Sequence, residues 1–137
     1  MILLDTNVWS ALTRPAQHPQ VGQWIATHAT EIWLSTIVIA EIRLGIENPK
    51  GAPRRAALEQ WLADIELVHA ERTLSFDSAA AHVFGALVAR RKLEKQETKL
   101  LDIQLAAQAL SQECPVATRN IRDFEWTGVR LIDPWTV

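Results

Sequence analysis

Residues 2–7 read Ile-Leu-Leu-Asp-Thr-Asn, an apolar run that ends in three residues which favour turns and helix caps. The run predicts a short buried strand that ends at Asp5, with a helix starting directly after it. The same order recurs in residues 32–36, where Ile-Trp-Leu precedes Ser-Thr and a helical pattern that continues to Glu47. Because a strand leads straight into a capped helix twice, the sequence indicates repeated βα units.

The rest of the sequence continues this alternation of helical and strand-like segments. Apolar residues spaced by three and four predict four further helices, over residues 19–29, 53–65, 77–92 and 100–110, and Asp77 is the expected cap of the third of these helices. Short apolar runs predict three more strands, at residues 74–76, 115–118 and 129–132. Residues 48–53 contain two prolines and a glycine and predict a loop. We therefore expect an α/β protein with a short, mostly parallel central sheet and helices on both faces.

Length and composition limit the classes of protein to which this chain can belong. With 137 residues, of which 48% are apolar and 22% charged, it predicts a single globular domain over residues 1–137. The uncharged stretch at residues 32–40 is about half of the roughly 20 residues that cross a bilayer. Asp5 comes early and no basic residue precedes the first apolar run, so we expect a cytoplasmic protein without a secretory signal. A lone cysteine, Cys114, excludes an internal disulfide and a CxxC pair.

Four acidic residues lie near the ends of predicted strands or the starts of predicted helices: Asp5, Glu41, Asp102 and Asp123. Three of them also have a structural explanation, since Asp5 is a common helix cap, Asp102 suits a first helical turn and Asp123 suits a turn. Glu41 differs because its helical neighbours are apolar or small and provide no cation: Ile37, Val38, Leu44 and Gly45. Because ligands bind at the carboxyl ends of parallel strands, we expect the four acids to form one cluster.

A cluster of carboxylates requires a counterion. Four carboxylates about 5 Å apart repel by roughly 3 kcal/mol per pair at an effective dielectric near 20, so a divalent cation is the natural partner. Oxygen ligands without a second cysteine or a histidine motif favour Mg²⁺ or Mn²⁺ over zinc. Such an ion lowers the pKa of bound water and stabilises charge on a phosphoryl oxygen, so the sequence predicts phosphodiester hydrolysis.

These residues resemble the PIN-domain ribonucleases, and among them the toxins of bacterial VapBC- and FitAB-type toxin–antitoxin pairs. The resemblance rests on residues 2–7, residues 35–45, Asp102 before Leu-Ala-Ala, and residues 117–124. The chain differs from many relatives at residues 97–101, where Glu-Thr-Lys-Leu-Leu replaces a proline-containing loop.

The resemblance implies a three-layer α/β/α PIN-like fold and a metal-dependent endoribonuclease. It implies that the cation is held by four acids, which are also the catalytic residues: Asp5, Glu41, Asp102 and Asp123. Supporting polar groups would come from Thr6, Thr118 and Asn120. The implied cofactor is Mg²⁺ or Mn²⁺, and the implied partners are an RNA substrate, a second copy of the chain and a small cognate antitoxin protein.

Charge and aromatic residues bear on RNA binding. The net charge of −2 becomes +2 if a metal neutralises the four acids, which permits attraction of phosphate. Candidate RNA-binding residues are Arg90, Arg91 and Lys92, followed by Lys95 and Lys99, and, beside Asp123, Arg119 and Arg122. The first group can instead complement a helix dipole. Among six tryptophans, Trp9 is the expected interface residue.

Two other classes stay open. Receiver domains and phosphatases of the phosphotransfer type also place an acid at the end of the first strand. A phosphatase of that type uses a second aspartate two residues later, where this chain has Asn7, and neither class explains Glu41. The other alternative is a catalytically inactive binding module that keeps the PIN fold.

Overall fold

A computed structural model describes residues 1–137 as a five-stranded sheet with the strand order β3-β2-β1-β4-β5. Every neighbouring pair of strands is parallel. The strands are short: β1 (Ile2–Leu4), β2 (Ile32–Ser35), β3 (Thr73–Leu74), β4 (Val116–Ala117) and β5 (Leu131–Ile132). The predicted α/β class is confirmed, and the sheet is wholly rather than mostly parallel.

Seven α-helices connect the strands and cover both faces of the sheet: α1 (Thr6–Ala11), α2 (Pro19–Thr27), α3 (Thr36–Glu47), α4 (Arg55–Val68), α5 (Ser78–Leu93), α6 (Leu100–Ser111) and α7 (Ile121–Phe124). The predicted caps are confirmed. Ser35 Oγ accepts a hydrogen bond from the Ile37 amide at 3.0 Å, and Asp77 Oδ1 accepts one from the Ala80 amide at 2.9 Å. No helix combines the length and apolar character that crossing a bilayer requires.

Two local predictions were wrong. The predicted loop at residues 48–53 is largely a 3₁₀ helix, Pro49–Arg54, in which Asn48 Oδ1 accepts a hydrogen bond from the Lys50 amide. Proline fixes φ near the value that such a turn needs, so it starts the turn here instead of preventing it. Trp9 was expected at an interface, but it is 2% exposed and its ring meets His69 edge-on, because α1 packs this face into the core.

The order of the strands determines which residues meet. β1 is the central strand, and β2 and β4 flank it, with Leu3 opposite both Trp33 and Val116. The chain adds β2 and β3 on one side of β1, and then adds β4 and β5 on its other side. The carboxyl ends of β1 and β4 therefore border a crevice of the kind in which α/β proteins bind ligands. Asp5 follows β1 directly and Thr118 follows β4 directly.

A buried polar contact fixes α6 against the sheet. Gln108 is fully buried; the Ser35 hydroxyl donates to its Oε1, and its Nε2 donates to the Leu74 carbonyl oxygen at 3.1 Å. These bonds join α6 to β2 and β3, since a buried amide left without partners would be costly. The first turn of α6, which carries Asp102, is thereby held at the carboxyl edge of the sheet.

Candidate active site

A cleft of about 590 Å³ opens at the carboxyl edge of the sheet. Three of the four predicted acids line it: Asp5 at the end of β1, Glu41 in α3 and Asp102 in the first turn of α6. These residues come from distant parts of the chain. The topology therefore brings three predicted carboxylates into one cleft.

Asp5 is fixed more firmly than the other acids. It is 5% exposed, and its carboxylate accepts hydrogen bonds from the Thr118 hydroxyl at 2.7 Å, the Thr6 amide at 2.8 Å and the Asn7 side-chain amide at 3.2 Å. Burial raises the pKa of Asp5, the bonds from Thr118 and Thr6 lower it in part, and the charge of Asp123 raises it again. Asp5 is therefore both a helix cap and a desolvated carboxylate held in one orientation.

Glu41 is half-buried beside Asp5. Burial raises its pKa first, the nearby Thr6 hydroxyl lowers it in part, and the charge of Asp5 raises it. Apart from its contact with the Glu41 carboxylate, Thr6 Oγ1 is buried without a hydrogen-bond partner. The apolar stripe predicted around Glu41 is only partly buried, since Val38 is 1% exposed but Leu44 is 63% exposed. Glu41 thus lies at the margin of the buried face of α3, where its carboxylate can reach the cleft.

Asp102 has the most strongly raised pKa among the three acids of the cleft. Burial, followed by the charges of Asp5, Glu41 and Asp123, raises its pKa to about 7, although the charge of Lys99 acts in the opposite direction. The first turn of a helix normally stabilises an anion. Burial and the repulsion from Asp5, Glu41 and Asp123 outweigh that effect here, so all three of these carboxylates lie within electrostatic range of Asp102.

Asp123 is in a different environment. Its carboxylate pairs with Lys99 Nζ at 2.9 Å and lines a small separate groove with Arg91, Glu97 and Trp126. It does not line the main cleft. The structure therefore brings together three of the predicted acids and keeps the fourth beside a lysine. With the side chains in these positions, no three aspartate, glutamate, histidine or cysteine residues are grouped closely enough to surround a metal ion.

The chemistry of the donors fits a hard divalent cation. Asp5, Glu41 and Asp102 form no ion pair with lysine or arginine, and burial together with mutual repulsion raises the pKa of each. Thr6 Oγ1, which has no hydrogen-bond partner other than its approach to the Glu41 carboxylate, belongs to a residue that lines the same cleft. A Mg²⁺ or Mn²⁺ ion would relieve this repulsion and accept oxygen ligands from these groups.

The predicted supporting residues all lie at the cleft or are bonded to its acids. Thr118 is fully buried and donates to Asp5, the Asn120 amide donates to Thr118 Oγ1 at 3.0 Å, and Thr6 lines the cleft. Asn7 is a further site residue, which was not predicted from the sequence. Its side-chain amide also donates to Thr118 Oγ1 at 3.3 Å, and its Oδ1 accepts from the Arg119 amide at 3.3 Å. Its position two residues after Asp5, in the same turn, was the available signal.

The candidate RNA-binding residues separate into two groups. Arg119 lines the cleft. Arg90 and Arg91 instead lie over the Trp126 ring, 5.2 and 4.5 Å from its centre, while Lys92 and Arg122 are exposed away from the cleft. The structure also adds cleft residues that the sequence analysis did not select, because they come from distant segments: Arg14, His18, Arg54, Trp61 and Trp135.

Comparison with known proteins agrees with this architecture. The family model described as PIN domain matches residues 2–127. The chain belongs to the PIN-domain family. The predicted resemblance is thus confirmed for nearly the whole chain.

Several curated relatives match this PIN-domain protein over nearly its whole length. The plasmid stability protein StbB of Pseudomonas syringae pv. tomato is 37% identical, with 98% of this chain and 99% of the relative covered. The VapC ribonuclease Y4jK of Sinorhizobium fredii is 34% identical, with 98% of each covered, and the toxin FitB of Neisseria gonorrhoeae is 33% identical, with 98% and 99% covered. The crystal structure of FitAcB from Neisseria gonorrhoeae has a TM-score of 0.86 at 32% identity, and both chains are covered completely.

Proposed function

We propose that this PIN-domain protein is a metal-dependent endoribonuclease and the toxin of a toxin–antitoxin pair. The observation that carries the proposal is the cleft in which Asp5, Glu41 and Asp102 meet without a lysine or arginine partner. Two relatives named as a VapC ribonuclease and a FitB toxin support the activity and the biological class.

In this proposal, Asp5, Glu41 and Asp102 hold Mg²⁺ or Mn²⁺, and Thr6 Oγ1 adds a polar oxygen. When bound, such an ion would lower the pKa of a coordinated water molecule and stabilise negative charge on a phosphoryl oxygen. Thr118 and Asn7 hold the Asp5 carboxylate in its orientation by hydrogen bonds at 2.7 and 3.2 Å. Such supporting bonds tune a metal ligand without contacting the ion.

Asp123, the fourth predicted ligand, would have to move its side chain to reach the other three acids. Asp123 can join the other acids only after its carboxylate leaves Lys99, 2.9 Å away. We propose a centre of three carboxylates, to which Asp123 would add a fourth ligand if its ion pair with the exposed Lys99 opened.

The proposed partners follow from the cleft and from the relatives. RNA is the substrate, in line with the relative named VapC ribonuclease, and a small antitoxin protein is the regulator, as the resemblance to toxins of VapBC- and FitAB-type pairs implies. A homodimer and a cytoplasmic location complete the proposal.

A catalytically inactive binding module is the second candidate. The observation that favours it is the lack of any three acidic side chains grouped closely enough to surround an ion as they stand. This candidate predicts RNA or antitoxin binding without cleavage. Cleavage assays separate it from the nuclease proposal directly.

The decisive experiment combines metal binding and cleavage. We expect wild-type protein to cleave single-stranded oligoribonucleotides with Mn²⁺ and to lose this activity in EDTA. Asp5→Asn should lower cleavage by at least about 100-fold and abolish the heat of Mn²⁺ binding in calorimetry. Glu66→Gln, which neutralises an exposed acid of α4 outside the cleft, is the matched control. Mn²⁺-independent cleavage, or Mn²⁺ binding without cleavage of any RNA, contradicts the proposal.

A further inference from the structure

Three residues from distant segments meet at the rim of the cleft: His18 before α2, Arg119 after β4 and Trp135 near the chain end. The guanidinium of Arg119 lies over the Trp135 ring, 4.7 Å from its centre. The Trp135 indole N–H donates to His18 Nδ1 at 3.1 Å, and the two rings meet edge-on at 88°. His18 therefore fixes the edge of the Trp135 ring by a hydrogen bond, and the guanidinium of Arg119 stacks on the face of the ring.

The backbone of Arg119 is tied to the carboxylate cluster. Its amide donates to Asn7 Oδ1 at 3.3 Å, and the preceding residue, Thr118, donates to Asp5 at 2.7 Å. Movement of Arg119 relative to Asp5 is thus restricted at the backbone by hydrogen bonds and at the side chain by the Trp135 ring. A cation on an aromatic face is a favourable contact that leaves its hydrogen-bond donors free.

The guanidinium of Arg119 has no anionic partner in the protein. None of the four ion pairs includes it, and its side chain is exposed and makes no hydrogen bond. By contrast, Arg43 pairs with two glutamates and Arg90 donates to the Trp126 carbonyl oxygen. An oriented guanidinium with free donors beside a carboxylate cluster is suited to binding a phosphate.

We infer that Arg119 binds a phosphate of the RNA strand next to the one that is cleaved, and that Trp135 is a positioning residue which holds Arg119 for this contact. His18 fixes the Trp135 ring through the indole N–H. The inference rests on the proposed ribonuclease function and extends it to the path of the substrate. It also separates Arg119 from the other basic residues, whose side chains lie outside the cleft or carry no aromatic support.

The first test separates substrate binding from chemistry. Arg119→Ala should raise KM for a single-stranded oligoribonucleotide by about tenfold and change kcat by less than about twofold. Arg119→Lys should recover only part of the loss, because an ammonium does not stack on the ring as a guanidinium does. Arg130→Ala removes the same charge outside the cleft and should leave both constants unchanged. A fall in kcat at constant KM, or an equal effect of Arg130→Ala, overturns the inference.

The second test addresses Trp135. Trp135→Phe keeps a ring under Arg119 and should retain KM within about threefold, whereas Trp135→Leu should raise KM as Arg119→Ala does. The double variant Trp135→Leu/Arg119→Ala should be no worse than either single variant, since both remove the same contact. Additive losses show that Trp135 acts separately from Arg119 and refute its positioning role. If Trp135→Leu does not fold, as judged by circular dichroism, Trp135→Phe and Arg119→Lys decide the question.

A binding measurement keeps this inference distinct from the proposed nuclease function. Fluorescence anisotropy with a labelled RNA oligonucleotide, in the cleavage-deficient Asp5→Asn background, should give weaker binding for Arg119→Ala. The slope of log affinity against log salt concentration should be shallower by about 0.7 in Arg119→Ala. This is the change expected when one phosphate contact with a single strand is lost. If wild-type protein cleaves no RNA and this difference persists, the function fails and the phosphate contact stands. If wild-type protein cleaves RNA and the salt dependence is unchanged, the phosphate contact fails.

Discussion

The acidic side chains of the main cleft have no lysine or arginine partner, whereas Asp123, in the neighbouring groove, is paired with a lysine. In the cleft, Asp5, Glu41 and Asp102 lie within electrostatic range of one another and form no ion pair. In the groove, Asp123 is paired with Lys99 at 2.9 Å. The cleft therefore keeps electrostatic repulsion that the groove has neutralised. Retained repulsion of this kind is typical of a functional site, and a neutralised pair is typical of a surface.

The largest expected difference between the two regions is in activity. Asp102→Asn should reduce RNA cleavage by at least about 100-fold, because it removes a carboxylate from the proposed metal centre. Asp123→Asn should reduce it by no more than about tenfold, since its carboxylate first has to leave Lys99. Cleavage rates at saturating Mn²⁺ measure both effects. Equal losses in the two variants would show that Asp123 belongs to the centre as fully as Asp102 does.

A smaller effect is expected from the hydrogen bond that orients Asp5. Thr118→Val keeps the shape of a fully buried side chain but removes the hydroxyl that donates at 2.7 Å. Losing this bond should raise the pKa of Asp5 further and lower cleavage by about tenfold, as is typical for groups that support a metal ligand. Thr27→Val, on the exposed surface of α2, is the control. An unchanged rate in Thr118→Val would exclude the orienting role.

The two regions should also differ in their effect on stability. The pKa of Asp102 rises from 3.8 to about 7 on folding, so between these pH values the folded state binds more protons than the unfolded state. The free energy of unfolding of metal-free protein should therefore fall as the pH rises from 4 to 7. Asp102→Asn should remove this loss and be more stable at pH 8 by about 1–2 kcal/mol, after allowance for solvent screening of a half-buried group.

Urea denaturation in EDTA at pH 4, 6 and 8 measures this effect. The difference between Asp102→Asn and wild type should be largest at pH 8 and become small at pH 4, which is close to the unfolded-state pKa of 3.8. Glu66→Gln, at an exposed position without an ion pair, is the control. A variant that is less stable than wild type at pH 8 would indicate a structural role for Asp102.

Local sequence patterns predicted most of the fold. The apolar runs at residues 2–4 and 32–34 and the caps Ser35 and Asp77 were identifiable because each depends on neighbours within a few residues. Contacts between distant residues were not predictable in this way. The bonds of Gln108 to Ser35 and Leu74, for example, depend on how α6 settles on the sheet.

The site follows the same division. The positions of Asp5, Glu41 and Asp102 could be predicted because the ends of parallel strands meet at one edge. The pairing of Asp123 with Lys99 depends on how the segment before α6 turns, which residues 97–101 do not encode in a recognisable motif. The contact of Arg119 with Trp135 likewise joins the end of β4 to the chain end, and no spacing in the sequence indicates it.

The smallest expected effect tests whether Lys99 keeps Asp123 away from the cleft. Asp123 raises the pKa of Lys99, and Lys99 in turn lowers the pKa of Asp102. Lys99→Met should therefore strengthen Mn²⁺ binding by about twofold to threefold at low salt, because it frees one carboxylate and removes a cation near another. Lys50→Met, at an exposed position outside both the cleft and the groove, is the control, and 1 M NaCl should remove the difference. Calorimetry measures the affinities, and weaker Mn²⁺ binding in Lys99→Met would mean that the groove supports the cleft instead of competing with it for Asp123.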